Sequence, residues 1–124
     1  MSDDVRIKRA YEPVSDEDGQ RVLIDRLWPR GISKDKAKLD QWLKDVAPSA
    51  ALRKWFDHKP ERWPEFQRRY RHELDTNPAM AELRSLAKKG RLTLVYGARD
   101  EAHNDAVVLA ELLGEHASKG RRDG

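Results

Sequence analysis

One short stretch constrains the fold of this chain more than any other. Arg91–Tyr96 contains Leu92-Thr93-Leu94-Val95-Tyr96, an unbroken β-branched and aromatic run lying between two segments of helical periodicity. Such a run predicts a buried central strand. Strands that alternate with helices favour a parallel sheet, because a parallel pair must be joined by a crossover, usually helical. Two further runs fit that plan. Val5–Ala10 alternates apolar Val5 and Ile7 with Arg6, Lys8 and Arg9, as in a strand exposed on one side. Arg21–Leu27 carries Val22-Leu23-Ile24 between a Pro13–Gly19 turn region and Pro29-Arg30-Gly31, as in a buried strand.

Between and after these runs the periodicity changes to that of helices. Ser33 is placed to cap a helix over Lys34–Leu43, and Ser49 another through Trp55. From Glu61 to Leu74, Trp63, Phe66, Tyr70 and Leu74 fall on one helical face, a stripe that core packing explains better than a cofactor box. Asn77-Pro78 opens a further helix that Gly90 closes, with Met80, Leu83, Leu86 and Ala87 directed inward. Ala102, Ala106, Leu109 and Leu113, flanked by Val108 and Leu112, predict a last helix to about Ala117. The expected fold class is therefore α/β: a small, mainly parallel sheet of three to four strands flanked by helices. It would form one three-layer domain over residues 1–117, with a disordered basic tail at 118–124.

Composition removes several functions. The chain has no cysteine, which excludes disulfides, thiolate zinc sites and cysteine nucleophiles. Charged residues make up 38% of the 124, against roughly 25% in typical domains, so the core must be compact and much of the charge solvated. The net charge of +3 is too small to argue for nucleic-acid binding by itself. No window approaches the ~18 apolar residues of a membrane span, and Met1-Ser2-Asp3-Asp4 has no leader character, so a cytoplasmic protein is expected. His58, His72, His103 and His116 lack the HExxH spacing, and neither a Walker loop nor GxGxxG or GxSxG occurs. Neither a metal nor a cofactor is expected.

Ligands of open α/β sheets sit beyond the carboxyl ends of the strands, and the unusual residues of this chain fall there. Lys8, Arg9 and Tyr11 follow the first run. Asp25, Arg26, Trp28 and Arg30 follow the second, and Tyr96, Gly97, Arg99, Asp100, His103 and Asn104 the third. Asp25-Arg26-Leu27-Trp28-Pro29-Arg30-Gly31 sets two guanidinium groups around a rigid aromatic, which suits a planar carboxylate or phosphate. The structural alternative has Arg26 paired with a local carboxylate and Trp28 plugging the core. Gly97-Ala98-Arg99-Asp100 leads toward a helix start, where free N–H groups attract anions, although Asp100 could equally cap that helix. Three residues separate Asp100 from His103, so the carboxylate could orient the imidazole for proton transfer. Arg62, Arg68, Arg69, Arg71 and His72 form a basic helix face beside Trp63 and Tyr70, diluted by Glu61, Glu65, Glu73 and Asp75.

Several motifs in one order carry a resemblance: Ile7-Lys8-Arg9, Arg21 through Gly31, Trp42 through Ser49, Leu52-Arg53-Lys54-Trp55-Phe56, and Tyr96 through Asn104. From about residue 5 to residue 117 the chain resembles the YeaO-like family, also called domain of unknown function 488, a bacterial family. The resemblance implies a small three-layer α/β domain and no established reaction. A branch of that family carries Cys-His-Arg after its last strand. Here His103-Asn104-Asp105 occupies that region, and Asp105 stands where the family pattern leads us to expect asparagine.

These readings converge on a pocket for a small anion bearing phosphate or carboxylate. Lys8, Arg9, Arg26, Trp28, Arg30, Tyr96, Arg99 and Asn104 are the candidate binders, and His103, Asp100 and Asp25 the candidate acid/base groups. Catalysis is left open; if present, it would make the protein a metal-independent hydrolase or lyase. A nucleic-acid or regulatory module using the Arg62–His72 face and the basic tail is the second reading. A structural or interaction protein without catalysis is the third. The sequence leaves the oligomeric state open. The leading reading requires the tips of the second and third strands to open into one pocket.

Overall fold

The computed structural model describes residues 4–121, and side chains through residue 114. Four strands, β1 (Val5–Arg9), β2 (Gln20–Leu23), β3 (Gln41–Trp42) and β4 (Leu92–Tyr96), form an all-parallel sheet in the order β1-β4-β2-β3. The helices are α1 (Lys34–Ala37), α2 (Ala50–Phe56), α3 (Trp63–Asp75), α4 (Ala79–Lys89) and α5 (Asp105–Arg121). This is the α/β class that the sequence predicts.

Strand β4 lies between β1 and β2 and is buried along its whole length. Its side chains alternate between two cores. Leu92, Leu94 and Tyr96 join Val22, Ile24 and residues of α2 to α5 in the main cluster, while Val95 packs with Leu23 and Ala10 on the other face. The main cluster includes Phe66, Tyr70 and Leu74 of the stripe read from sequence, and Met80, Leu83 and Ala87 of α4. Trp28, Ile32 and Leu39 cover the second face, where α1 is only one turn long.

Helix caps follow side-chain chemistry. Ser33 accepts from the Lys36 N–H and Ser49 from the Leu52 N–H, each at 3.1 Å. Asn77 accepts from the Ala79 N–H at 2.9 Å, at the start expected for α4. Four boundaries differ most from the sequence reading. Helix α1 ends at Ala37 because Lys38 turns left-handed at φ 45°, and the chain then runs out as the edge strand β3 instead of continuing to Leu43. Strand β2 stops at Leu23, although Ile24 still donates to the Val95 carbonyl at 3.1 Å. The last helix begins at Asp105, so Ala102 and His103 precede it. Helix α5 runs to Arg121, into the segment expected as a tail, and residues 122–124 lie outside the described residues.

The amino end of the sheet is held by buried charge. Asp18 takes 2.9 Å and 2.7 Å contacts from Lys8 and Arg21, and Arg21 also donates to the Ala37 carbonyl at 3.1 and 2.9 Å. Both Asp18 and Arg21 are buried, at 6% and 3% exposure. Burial opposes the charge on Asp18, but bonds from Lys8, the Ser15 N–H and Arg21 outweigh it and hold the carboxyl below the usual range. Next to it, Gly19 has φ 65°, and a Cβ there would fall 2.6 Å from the Arg91 carbonyl oxygen, which only glycine avoids.

Removing one partner from a buried ion cluster leaves uncompensated charge. Asp18→Asn is therefore expected to cost on the order of 3–5 kcal/mol in urea unfolding near pH 7. Since the folded pKa of Asp18 is depressed, its contribution is full above about pH 4 and is lost as pH falls through the folded value. Parent and variant should converge in acid; a constant gap down to pH ~2 would contradict this role.

Candidate functional site

Beyond the carboxyl ends of the strands three loops are bound to one another. Ala10 N–H donates to the Tyr96 carbonyl at 2.7 Å, and the Arg9 guanidinium to the Ala98 carbonyl at 2.8 Å. The Tyr11 hydroxyl donates to the Arg30 carbonyl at 2.9 Å, and the Gly97 N–H to Asp25 Oδ2 at 2.8 Å. Parallel strands end on the same side, so loops distant in sequence become neighbours there. With α2 and α3 as the facing wall, they enclose a cleft of about 710 Å³.

Six of the eleven candidate binders and acid/base groups line this cleft, Asp25, Arg26, Trp28, Arg30, His103 and Asn104, together with Tyr11 and Gly97. Arg26 and Arg30 are exposed, and neither meets a carboxylate among the described residues. The Trp28 indole donates to the Ile32 carbonyl at 2.6 Å and packs edge-on to Trp42 at 5.4 Å, so it also seals the second core. Asn104 is buried at 4% exposure; its Nδ2 donates to the Asp100 carbonyl, and its Oδ1 accepts the Val107 N–H. Asn104 is thus the residue that caps α5.

The remaining candidates lie elsewhere. Lys8 is bound to Asp18 at the opposite end of the sheet, and Arg9 lies over Tyr11 at 5.0 Å while bonding Ala98. The Tyr96 ring is buried at 2% exposure; burial, followed by the charges of Glu101 and Glu12, pushes its phenol up. Arg99 is exposed and does not line the cleft. Asp100 does not cap α5; instead its Oδ1 turns the loop by accepting the Ala102 and His103 N–H groups at 2.9 and 3.1 Å. Its Oδ2 lies 2.8 Å from His103 Nδ1, the pairing that the spacing suggests, and this bond, with the Ala102 N–H next, holds the Asp100 carboxyl down. His103 also meets Trp63 edge-on at 5.2 Å.

The structure adds a second wall. Arg53, Lys54 and Phe56 of α2, followed by Asp57 and His58, line the cleft together with Phe66 of α3. Asp57 and His58 both have left-handed backbones, at φ 48° and 54°. Arg53 Nε is buried with no hydrogen-bond partner among the described residues, and its charge acts on Asp25. Asp105, in the first turn of α5, is hydrogen-bonded to Asp25. Its carboxyl is pushed well above the usual range, first by burial, then by the Asp25 charge and the shared bond. Burial also raises Asp25, against the bonds from Asp105 and Gly97 and the charge of Arg53. Two carboxyls in contact inside a cleft wall hold one proton between them more easily than they hold two negative charges.

A carboxyl with a raised folded pKa binds its proton more tightly when folded, so its contribution is full below about pH 4 and is lost as pH rises through the raised value. The pair's contribution to stability should therefore fall from about pH 4 upward, by about 1.4 kcal/mol for every pH unit through which the folded pair keeps a proton that the unfolded chain has lost. Asp105→Asn cannot ionise and is expected to flatten that slope, gaining on the order of 1 kcal/mol over the parent near pH 8. Urea titrations at several pH values would measure it, and parallel slopes for parent and variant would refute the shared proton.

Comparison with known proteins gives a family and no activity. The chain matches, over residues 4–124, the family model described as "Inactive DUF488-N3 subclade". It is 50% identical over 109 residues to an uncharacterised protein of Mycobacterium tuberculosis (strain ATCC 25618 / H37Rv), covering 88% of this chain and 92% of that one. It is 42% identical over 110 residues to the uncharacterised protein YeaO of Escherichia coli (strain K12), covering 88% and 96%. No solved structure matches significantly. The sequence motifs and these similarities lead to one conclusion: the chain belongs to the YeaO-like DUF488 family, in the branch whose model carries that description.

Proposed function

We propose that this protein binds a small anion, bearing phosphate or carboxylate, in the cleft beyond the carboxyl ends of the strands, and that it does so as a binding module without catalysis. The observation that carries the reading is the convergence of Arg26, Arg30, Arg53 and Lys54 on one cleft from two walls, none of them in a salt bridge with a carboxylate among the described residues, with Arg53 acting on Asp25 only through its charge. Guanidinium groups in a partly desolvated cleft bind planar anions by paired N–H bonds, each worth about 1.5–3 kcal/mol when charged. The description of the subclade as inactive favours binding over turnover. The His103–Asp100 pair then serves to fix the imidazole at the cleft edge.

The basic face of α3 supports a nucleic-acid reading poorly. Arg68 and Arg69 both bind Glu65, at 2.5 and 2.7 Å, and Arg62 and Arg69 flank Trp55 at 5.2 and 4.5 Å. Those cations are already engaged within the protein. Among the described residues no helix is long and apolar enough to cross a membrane.

Thermal shift against inorganic phosphate, alkyl phosphates, nucleotides and carboxylates tests the proposal. An anion present at about a hundred times its dissociation constant should stabilise the fold by about 2.7 kcal/mol. Arg53→Gln and Arg26→Ala should each weaken binding by about 1.5–3 kcal/mol, while Arg68→Ala should not. A flat panel with the parent protein would end the proposal.

A further inference from the structure

The cleft is not purely cationic. On its inner wall the hydrogen-bonded carboxyls of Asp25 and Asp105 face the same space as Arg26, Arg30, Arg53 and Lys54. An anion alone satisfies the cations but brings no positive group of its own to this carboxyl pair. We infer that the ligand is zwitterionic, an anion that also carries a protonated amine or similar N–H-rich cation, which inserts between the carboxyls of Asp25 and Asp105 while the arginines hold its negative end. This rests on the anion-binding reading and narrows it to one substrate class.

The geometry gives each carboxyl a fixed place. Asp25 is anchored by the Gly97 N–H at 2.8 Å, and Asp105 by its position in the first turn of α5, where its Oδ1 accepts the Ala106 N–H at 3.0 Å. Both line the cleft, so a group seated in it can reach them. The surrounding charges come from every neighbouring element. Arg53 and Lys54 lie on α2, Asp57 and His58 follow it, His103 precedes α5, and the Tyr70 phenol of α3 feels both carboxylates. Tyr70 donates to the Val46 carbonyl at 2.6 Å and is fully buried, so its hydroxyl is already committed and does not serve the pair. Arg53 balances one negative charge. The proton shared by the pair balances the second.

An ammonium group can replace that proton. It brings the same charge and three donors, enough to bond both carboxylates at once. Insertion of the ammonium then releases the proton to solvent, and total charge is conserved. Binding of an ammonium-bearing ligand must therefore tighten as pH rises across the range where the pair is protonated, by up to about tenfold per pH unit for one proton released. An anion lacking the amine releases no proton and gains nothing.

Calorimetric titration with O-phosphoethanolamine and with ethyl phosphate separates the cases once each affinity is corrected for the ionisation of its own phosphate, which the ammonium group makes the more acidic of the two. We expect O-phosphoethanolamine to bind at least about tenfold tighter near pH 8, with the ratio shrinking toward one near pH 5, and with proton release seen in buffers of different ionisation enthalpy. Asp105→Asn, and separately Asp25→Asn, should abolish the preference and its pH dependence, while ethyl phosphate still binds each variant. Melting curves show whether each variant is folded. If ethyl phosphate binds but the amine adds nothing, or if the preference survives both substitutions, the zwitterion inference fails and anion binding stands. If neither compound nor inorganic phosphate binds, both fail.

Discussion

Strand β4 is paired along both edges, and most of the architecture follows from that. Val5 to Arg9 pair with Leu92 to Tyr96 on one side, and Gln20 to Leu23 pair with Leu92 to Val95 on the other. Parallel pairing on both sides puts the carboxyl ends of the three strands on the same side of the sheet, within one residue of each other in register. The loops that leave those ends therefore crowd into one region, and four hydrogen bonds among them fix their relative positions. A cleft there results from the topology.

The two ends of the sheet treat charge in opposite ways. At the amino end Asp18 is matched by Lys8 and Arg21, so burial leaves no unbalanced charge. At the carboxyl end the acids meet each other, while several cations across the cleft have no acidic partner among the described residues. Folding stability calls for pairing like that at the amino end. Charges left unpaired in a cleft cost stability, and they persist where recognition uses them.

Much of this fold is legible in the sequence because apolar periodicity reports burial directly. The β4 run, the Phe66-Tyr70-Leu74 stripe and the Asn77 start of α4 all follow from side-chain spacing and capping chemistry. Sequence and structure part where one residue redirects the backbone. Lys38 turns left-handed and ends α1, a conformation no propensity assigns to lysine, so the pattern through Gln41–Trp42 reads as helix although the chain is extended there. Asp100, His103 and Asn104 read as a helix start, but the Asx turn made by Asp100 delays the helix until Asn104 caps it. Half of the cleft is legible because it follows the strands in sequence. Arg53 and Lys54 escape because α2 reaches the cleft only through tertiary packing. Asp105 escapes because its meeting with Asp25 brings together residues 80 positions apart.

One rim of the cleft is built at a conformational cost. Asp57 and His58 are consecutive residues with positive φ, the region in which a side chain collides with its own carbonyl, at roughly 1–2 kcal/mol each. Glycine at both would relax the turn and firm up the fold, but it would strip a carboxylate and an imidazole from the mouth of the cleft. Thermostability and the chemistry of this entrance therefore pull the same two positions in opposite directions. An engineer hardening the protein by its backbone alone would erase part of what the opening presents to solution.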